Sequence, residues 1–457
     1  MKYARVGAAL AVCAVVVSAC GGSTASPAAS AAASTAASTA PSTAPSTAAS
    51  TAPSTAASQP ASQAASKGTL KIGIELPMSG GETANGVPTA NGVKLLVKQI
   101  NAAGGVGGYQ LDINQQDDAV NGVHDPQQGA TNLQTLVADT MVIGVVGPFN
   151  SGVAKAEIPI SNAAGLLMCS PANTNNGVTQ PPEGDKYRQA NPTKISYIRT
   201  ATPDSIQGPS MADYMYNDLG VKSVYILDDT ETFGVGVGDT FQEEFKKLGG
   251  TVVKRDSAPK TTTDYTPLFT AVAGQKPAGV YLAGTTPSGM GLALKQGRTV
   301  PGFEKVPFGG PDGVADLGPA GTEGATITVA GAAAHDVYGT VGAVHDVDAT
   351  FNDAYTKEFG QAPGAYSAAA YTCGQVILAA LKTAIDGGAA DQAALREGVR
   401  ANATNSANSF DTISGKFAFD KYGDNQNPYI SFYKTDMTAN PAAWVYVKQQ
   451  AFTDPNK

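Results

Sequence analysis

From Leu70 onward, short runs of consecutive apolar residues alternate with longer stretches in which apolar residues recur every three or four positions. The first pattern suits a strand buried on both faces, the second a helix that hides one side. Leu70 to Leu76 reads as strand, and Thr89 to Ala103, with Val93, Leu96 and Ile100 on one side, as helix. The same pattern predicts strands at Tyr109–Asn114, Met141–Val146 and Leu166–Cys169, and helices at Pro126–Ala138 and Val153–Ala164. After Thr200 the rhythm restarts, with strands at Ser223–Leu227, Thr251–Lys254, Gly279–Ala283 and Val306–Gly309. Helices near Val237–Leu248, Tyr265–Ala273 and Gly289–Gly297 separate them. Long helices at Asp348–Phe359 and Tyr366–Ile385 and a strand-rich end from Phe417 to Val447 follow. Such alternation predicts an α/β fold of parallel sheets covered by helices on both faces. Two rounds of it, in a chain too long for one compact core, predict two doubly wound lobes. In such sheets ligands sit beyond the carboxyl ends of the strands, so two facing lobes would form a binding cleft.

The N-terminus follows another pattern. Lys2 and Arg5 precede the apolar run Val6–Val17, and small residues lead to Cys20. The run is too short to cross a bilayer, which needs about 20 residues, and residues 1–19 have the layout of a secretory signal. The segment resembles a bacterial lipoprotein signal, although Val17 stands where Leu is commonest. That resemblance implies lipid on Cys20, anchorage at the membrane and an extracytoplasmic location; an ordinary cleaved signal is the plainer alternative. Gly21 to Ser66 contains only Gly, Ser, Thr, Ala, Pro and Gln. It has nothing to bury, so residues 20–67 read as a linker with a root-mean-square reach of about 35–40 Å.

Composition narrows the chemistry. Loss of Lys2 and Arg5 would take the net charge from −8 to −10, which argues against a nucleic-acid partner. With Cys13 in the signal and Cys20 lipidated, Cys169 and Cys373 remain; both lie in apolar surroundings and read as buried free thiols. His124, His335 and His345 lack metal-ligand spacing and read as surface residues, so no metal is expected. Gly234-Val235-Gly236-Val237-Gly238 lacks dinucleotide spacing, and Ser414-Gly415-Lys416 has Phe410 where a phosphate loop needs Gly. The carboxylate pairs Asp117-Asp118 and Asp228-Asp229 are adjacent on strand ends, so their side chains diverge and they read as loop caps. Neither a cofactor signature nor a nucleophile elbow is present, and no enzymatic activity is expected.

Several short motifs, weak singly, follow one another in a specific order: Met78-Ser79-Gly80, Ile100 through Gly108, Asp117-Asp118, Ile143-Gly144 through Ser151, and Ser170-Pro171-Ala172-Asn173-Thr174. Arg199-Thr200, Asp204-Ser205, Gly208-Pro209, Gly310-Pro311-Asp312-Gly313 and Gly364-Ala365-Tyr366 continue the series. Residues 68–457 thereby resemble the branched-chain amino-acid-binding proteins of bacterial ABC importers. The resemblance implies the type I periplasmic-binding-protein fold, two lobes joined by three hinge strands. Crossings near Thr200, Gly331 and Phe432 would give one lobe residues 68–200 and 332–432, and the other residues 201–331 and 433–457.

It also implies residue roles. Ser151, Ala172 and Thr174 would hold a ligand α-carboxylate, a role suited to a helix N-terminus with its unpaired N–H groups; the plain alternatives are a helix cap at Ser151 and a solvated turn at Thr174. Asp312 would meet the ligand's ammonium, although Asp in Pro-Asp-Gly is also a routine turn residue. Asn85, Phe149, Asn150, Phe233, Thr285 and Tyr366 would line the pocket, with plain core packing the alternative for the aromatics. Departures from the family pattern bear on the ligand: Asn85 and Thr285 replace tyrosines, Asp312 replaces a longer Glu, and Gln180–Lys194 reads as an insertion beside the cleft. The expectation is a monomeric solute-binding lipoprotein that captures an amino acid or similar small solute and delivers it to an ABC permease. The alternatives are a sensor of the same fold signalling to a membrane partner, or a binder of an amide, urea or aromatic acid.

Overall fold

The computed structural model describes residues 67–452; the signal segment, Cys20 and nearly all of the linker lie outside the described residues. Five strands form a wholly parallel sheet: β1 (Gly68–Leu76), β2 (Tyr109–Asp117), β3 (Val142–Val146), β4 (Met168–Ser170) and β5 (Tyr197–Arg199), in the order β2-β1-β3-β4-β5. Leu70, Ile72 and Ile74 of β1 are wholly buried, alternate residues that share one face of the strand. Helices α1 (Thr83–Ala102) and α6 (Ser367–Asp386) supply Val93, Leu96, Ile377 and Leu381 to the core on one face. Helices α2 (Pro126–Ala138) and α3 (Ser151–Ala164) pack Leu133, Leu136 and Ile158 on the other.

The second sheet has seven strands: β6 (Ser223–Asp228), β7 (Thr251–Ser257), β8 (Gly279–Ala283), β9 (Phe308–Gly310), β10 (Val337–Val341), β11 (Tyr429–Asp436) and β12 (Ala443–Ala451). Their order is β12-β11-β10-β9-β8-β6-β7, parallel except for β11 and β12. It is covered on its two faces by separate clusters around Phe269 and Phe308 and around Phe241 and Phe245. Helices α4 (Asp204–Asp213) and α5 (Thr232–Lys247) belong to this lobe.

The chain passes between lobes three times, and Thr202 ties the passages together. Its N–H donates to Gly342 O at 2.8 Å, its hydroxyl donates to Tyr429 O at 2.6 Å, and the same hydroxyl accepts from Tyr429 N at 2.9 Å. The passages expected near Gly331 and Phe432 fall elsewhere, because β10 and the whole of β11 pair within the second sheet. The second passage lies after Val341 and the third before Tyr429. Strand β10 escapes the apolar pattern because Gly339 interrupts it where a side chain would strike Ala315 and Trp444. Helix α1 begins at Thr83, six residues before the expected start, despite Pro88 inside it. Its first turns are bound by tertiary contact, with Gly86 packed against the Pro77 backbone, rather than by helix propensity.

Cys169 and Cys373, expected as free thiols, form a disulfide between β4 and α6, with Cα atoms 5.5 Å apart and 204 residues between them in sequence. Apolar flanks say that each residue is buried, but only the fold brings the two together. His124, expected at the surface, is buried, its Nδ1 2.6 Å from Glu82 Oε1. A bond closing so long a loop stabilises by about 2–5 kcal/mol. Cys373→Ser is therefore expected to lower the free energy of unfolding measured by urea titration by that amount, shifting the midpoint to lower urea, and dithiothreitol should do nothing further to the variant; an unchanged free energy would show that the bond contributes no stability.

Candidate functional site

Strand β3 is followed by Gly147-Pro148-Phe149-Asn150, and α3 starts at Ser151. Gly147 has φ +141°, and a side chain there would strike the carbonyl of Glu75, so only glycine lets the loop turn this closely. Asn150 holds the capping position with extended backbone but makes no side-chain cap. Ser151 is the first helical residue, not the cap, and its Oγ accepts from Asn175 N at 3.4 Å. The N–H groups of the first turn, which have no partner within a helix, are thus left facing out of its end.

The neighbouring loop, Pro171 to Thr174, is fixed against this one. Ser170 Oγ donates to Pro148 O at 2.6 Å and accepts from Asn173 N at 2.9 Å, and Asn173 Nδ2 donates to Phe149 O at 2.9 Å. Arg199, wholly buried and paired with Asp424 at 2.7 Å, donates to the carbonyls of Asn173 at 3.3 Å and Asn175 at 2.8 Å. Its Nη2 donates to Thr179 Oγ1 at 2.9 Å, and a buried guanidinium with its charge matched and Nη1 shared between these two carbonyls is a positioning device for Thr174.

The second lobe supplies the facing wall. Phe233 lies at the start of α5, Thr285 follows β8, and Asp312 follows β9. Phe149, Asn150, Ser151, Ala172 and Thr174 of the first lobe and Phe233, Thr285 and Asp312 of the second line one cavity of about 20 Å³. Each of the eight is at most 9% exposed, and that volume is room for about one water, so the cleft is shut. Thr285 Oγ1 is spent within its own turn, donating to Ser288 Oγ at 2.8 Å and accepting from Ser288 N at 3.2 Å. Tyr366 stands behind the wall: its hydroxyl donates to Asp312 Oδ2 across the lobes, and its ring meets Phe149 edge-on at 5.5 Å. Asn85, buried in the first turns of α1, contributes nothing to the cavity wall. Nor does the Gln180–Lys194 segment, which is laced to the first lobe through Asn191 and Asn162.

Two residues absent from the expected site stand behind its walls. Asp204 and Gln207 of α4 are 1% and 0% exposed, with Asp204 beside the Thr174 hydroxyl and Gln207 beside Asp312. Asp204 N also donates to Thr174 O at 2.8 Å. Burial, then the charge of Asp312, holds the Asp204 carboxyl well above the usual carboxylate range. The Asp204-Ser205 motif was visible in the sequence, but nothing there marked Asp204 as facing Thr174.

Burial pushes the Asp312 carboxyl up to about 6, against the opposing pull of the Tyr366 hydroxyl and Gln207. An ammonium ligand needs the ionised form, so below about pH 6 it must first displace a proton. Affinity for an ammonium-bearing solute is expected to be flat above that pH and to fall below it, by up to about tenfold per unit. Calorimetric titration between pH 4.5 and 8 checks this, and Asp312→Asn should abolish the dependence.

Comparison with known proteins places this geometry. A family model described as periplasmic binding protein matches residues 69–437. The chain is 30% identical over 245 residues to the leucine-specific-binding protein of Salmonella typhimurium, covering 54% of this chain and only 61% of that protein. It is 26% identical over 384 residues to the Leu/Ile/Val-binding protein homolog 1 of Brucella abortus, covering 83% of this chain and 93% of that one. Among solved structures, the leucine binding protein LivK of Thermotoga maritima matches with TM-score 0.67 and 23% identity, over 85% of this chain and 99% of its own. A solute binding protein of Rhodopseudomonas palustris, in complex with 3,4-dihydroxybenzoic acid, matches with TM-score 0.66 and 22% identity over 85% and 99%. These likenesses show a shared two-lobed fold.

Proposed function

This chain belongs to the periplasmic binding protein family, and we propose that it is an extracytoplasmic solute-binding lipoprotein that captures an amino acid or similar small zwitterion in its cleft and delivers it to an ABC importer. One observation carries the reading: an uncapped helix N-terminus on the first lobe faces a carboxyl on the second across a single closed cavity. The α3 N–H groups, Ser151 and the Ala172–Thr174 loop would take the carboxylate, and Asp312 would take the ammonium. Three or four charge-assisted hydrogen bonds, each contributing about 1.5–3 kcal/mol less the cost of capture, are compatible with micromolar binding near −8 kcal/mol. Closure then works as a population shift, because the solute touches both walls only when the lobes meet; the cavity of about 20 Å³ is too small for an amino acid, so a bound solute would hold the walls further apart than they stand here. The disulfide agrees with an oxidising compartment outside the cytoplasm.

Aromatic acids form the second reading. Phe149 and Phe233 line the cavity, and solved neighbours from R. palustris were crystallised with benzoate and 4-hydroxybenzoate. Asp312 separates the readings, since a benzoate carries no cation for it to meet.

A thermal-shift screen of amino acids against benzoates is expected to show stabilisation by amino acids alone, because a ligand stabilises only the state it binds. Stabilisation by benzoates with no amino acid active would overturn the zwitterion reading. For the anchor, Cys20→Ala is expected to move the protein from the membrane fraction to the soluble fraction; a variant that stays with the membrane would show that lipid on Cys20 is not what holds it.

A further inference from the structure

At the border of the interlobe contact the two lobes meet through bare backbone. On the first lobe are Gly81, between β1 and α1, and the hairpin turn at Gly122; on the second are Pro287 and Gly324. A Cβ built on Gly324 would lie 2.6 Å from the carbonyl carbon of Gly81 and overlap its oxygen. A Cβ on Gly81 would lie 3.1 Å from Cβ of Pro287. Nothing flexible stands on either side, so a side chain at Gly324 is accommodated only if the lobes move apart. Two further bonds join the lobes: Lys260 of the second lobe donates to His124 O at 3.4 Å, and Asn175 Nδ2 of the first donates to Thr232 O at 3.0 Å.

We propose that the contact of Gly324 with Gly81 is a closure stop, a place where the absence of a side chain sets how far the lobes shut and therefore whether the cavity walls can meet. This rests on the reading that the cleft opens and closes. Gly324 has φ +76°, so any alanine there is strained whether the cleft is open or shut. Gly321, in the same loop, has φ +97° with nothing within 4 Å of its missing Cβ. Gly321→Ala therefore carries the backbone strain without the clash, and is the control for Gly324→Ala.

The test uses the full chain carrying Gly81→Cys and Pro287→Cys. Their Cβ atoms would lie 3.1 Å apart at closure, slightly closer than the spacing of about 3.5–4.5 Å found in disulfides, so the bond forms once the two sides ease apart by a few tenths of an ångström. The rate of cross-linking under mild oxidation, without solute, then reports the closed population. Gly324→Ala is expected to slow cross-linking by about tenfold or more, in proportion to the lost closed fraction, while Gly321→Ala leaves it unchanged. Equal rates in the two variants would overturn the proposal. Adding L-leucine is expected to speed cross-linking in the Gly321→Ala background. If it does not, the amino-acid reading loses support, while the comparison of the two alanine variants still decides the stop.

Discussion

Everything else in the structure serves one arrangement: unpaired backbone N–H groups at the start of α3 and a carboxyl at Asp312 face each other across a space too narrow to hold bulk water. Each half is unfavourable alone. Helix-end donors shut away from water need an acceptor, and a buried carboxyl needs either a proton or a cation. A small zwitterion satisfies both at once, which is why the walls come from different lobes and why neither is complete until the lobes meet.

The rest of the fold holds the two walls in register. On the first lobe, Ser170 and Asn173 lace the two loops together, and Arg199, neutralised by Asp424, donates to the carbonyls of Asn173 and Asn175 on either side of Thr174. On the second, Asp312 sits in a turn whose Gly313 carbonyl accepts from Thr286 N at 2.8 Å. Thr202 joins all three passages of the chain, so the lobes share one short hinge rather than three independent linkers. The Tyr366 hydroxyl reaches Asp312 from the first lobe and gives the carboxyl a donor when the cleft is shut. A solute's ammonium has to add to that bond or replace it.

Much of this was legible in the pattern of residues. The buried strands of both sheets read as apolar runs because parallel strands covered on two faces have no polar side. What escaped has identifiable causes. Strand β10 is hidden by Gly339, and the start of α1 by Asn85, Gly86 and Pro88, whose helical state depends on packing. Helix α7 (Gln392–Ala403) buries Leu395, Val399, Arg400 and Ala403, too few apolar residues to stand out from a polar loop. The Cys169–Cys373 bond spans 204 residues and left no spacing to read. The motif order pointed to the residues that line the cavity, yet placed Asn85 there, where it has no share of the wall, and passed over Asp204 and Gln207. Those two lie on α4, where Gln207 meets Asp312 within the second lobe and Asp204 meets Thr174 of the first, neighbours that only the fold brings together.

The most direct measurement is a coupling energy between Asp312 and the solute's amino group. Affinities of the wild-type chain and of Asp312→Asn for L-leucine and for 4-methylpentanoate, the same molecule without its amine, form a closed cycle. The account expects Asp312→Asn to weaken leucine far more than 4-methylpentanoate, with a coupling of about 1.5–3 kcal/mol, the range of a charge-assisted hydrogen bond. Equal losses for the two solutes would contradict it, because Asp312 would then be shaping the cleft without ever meeting a cation.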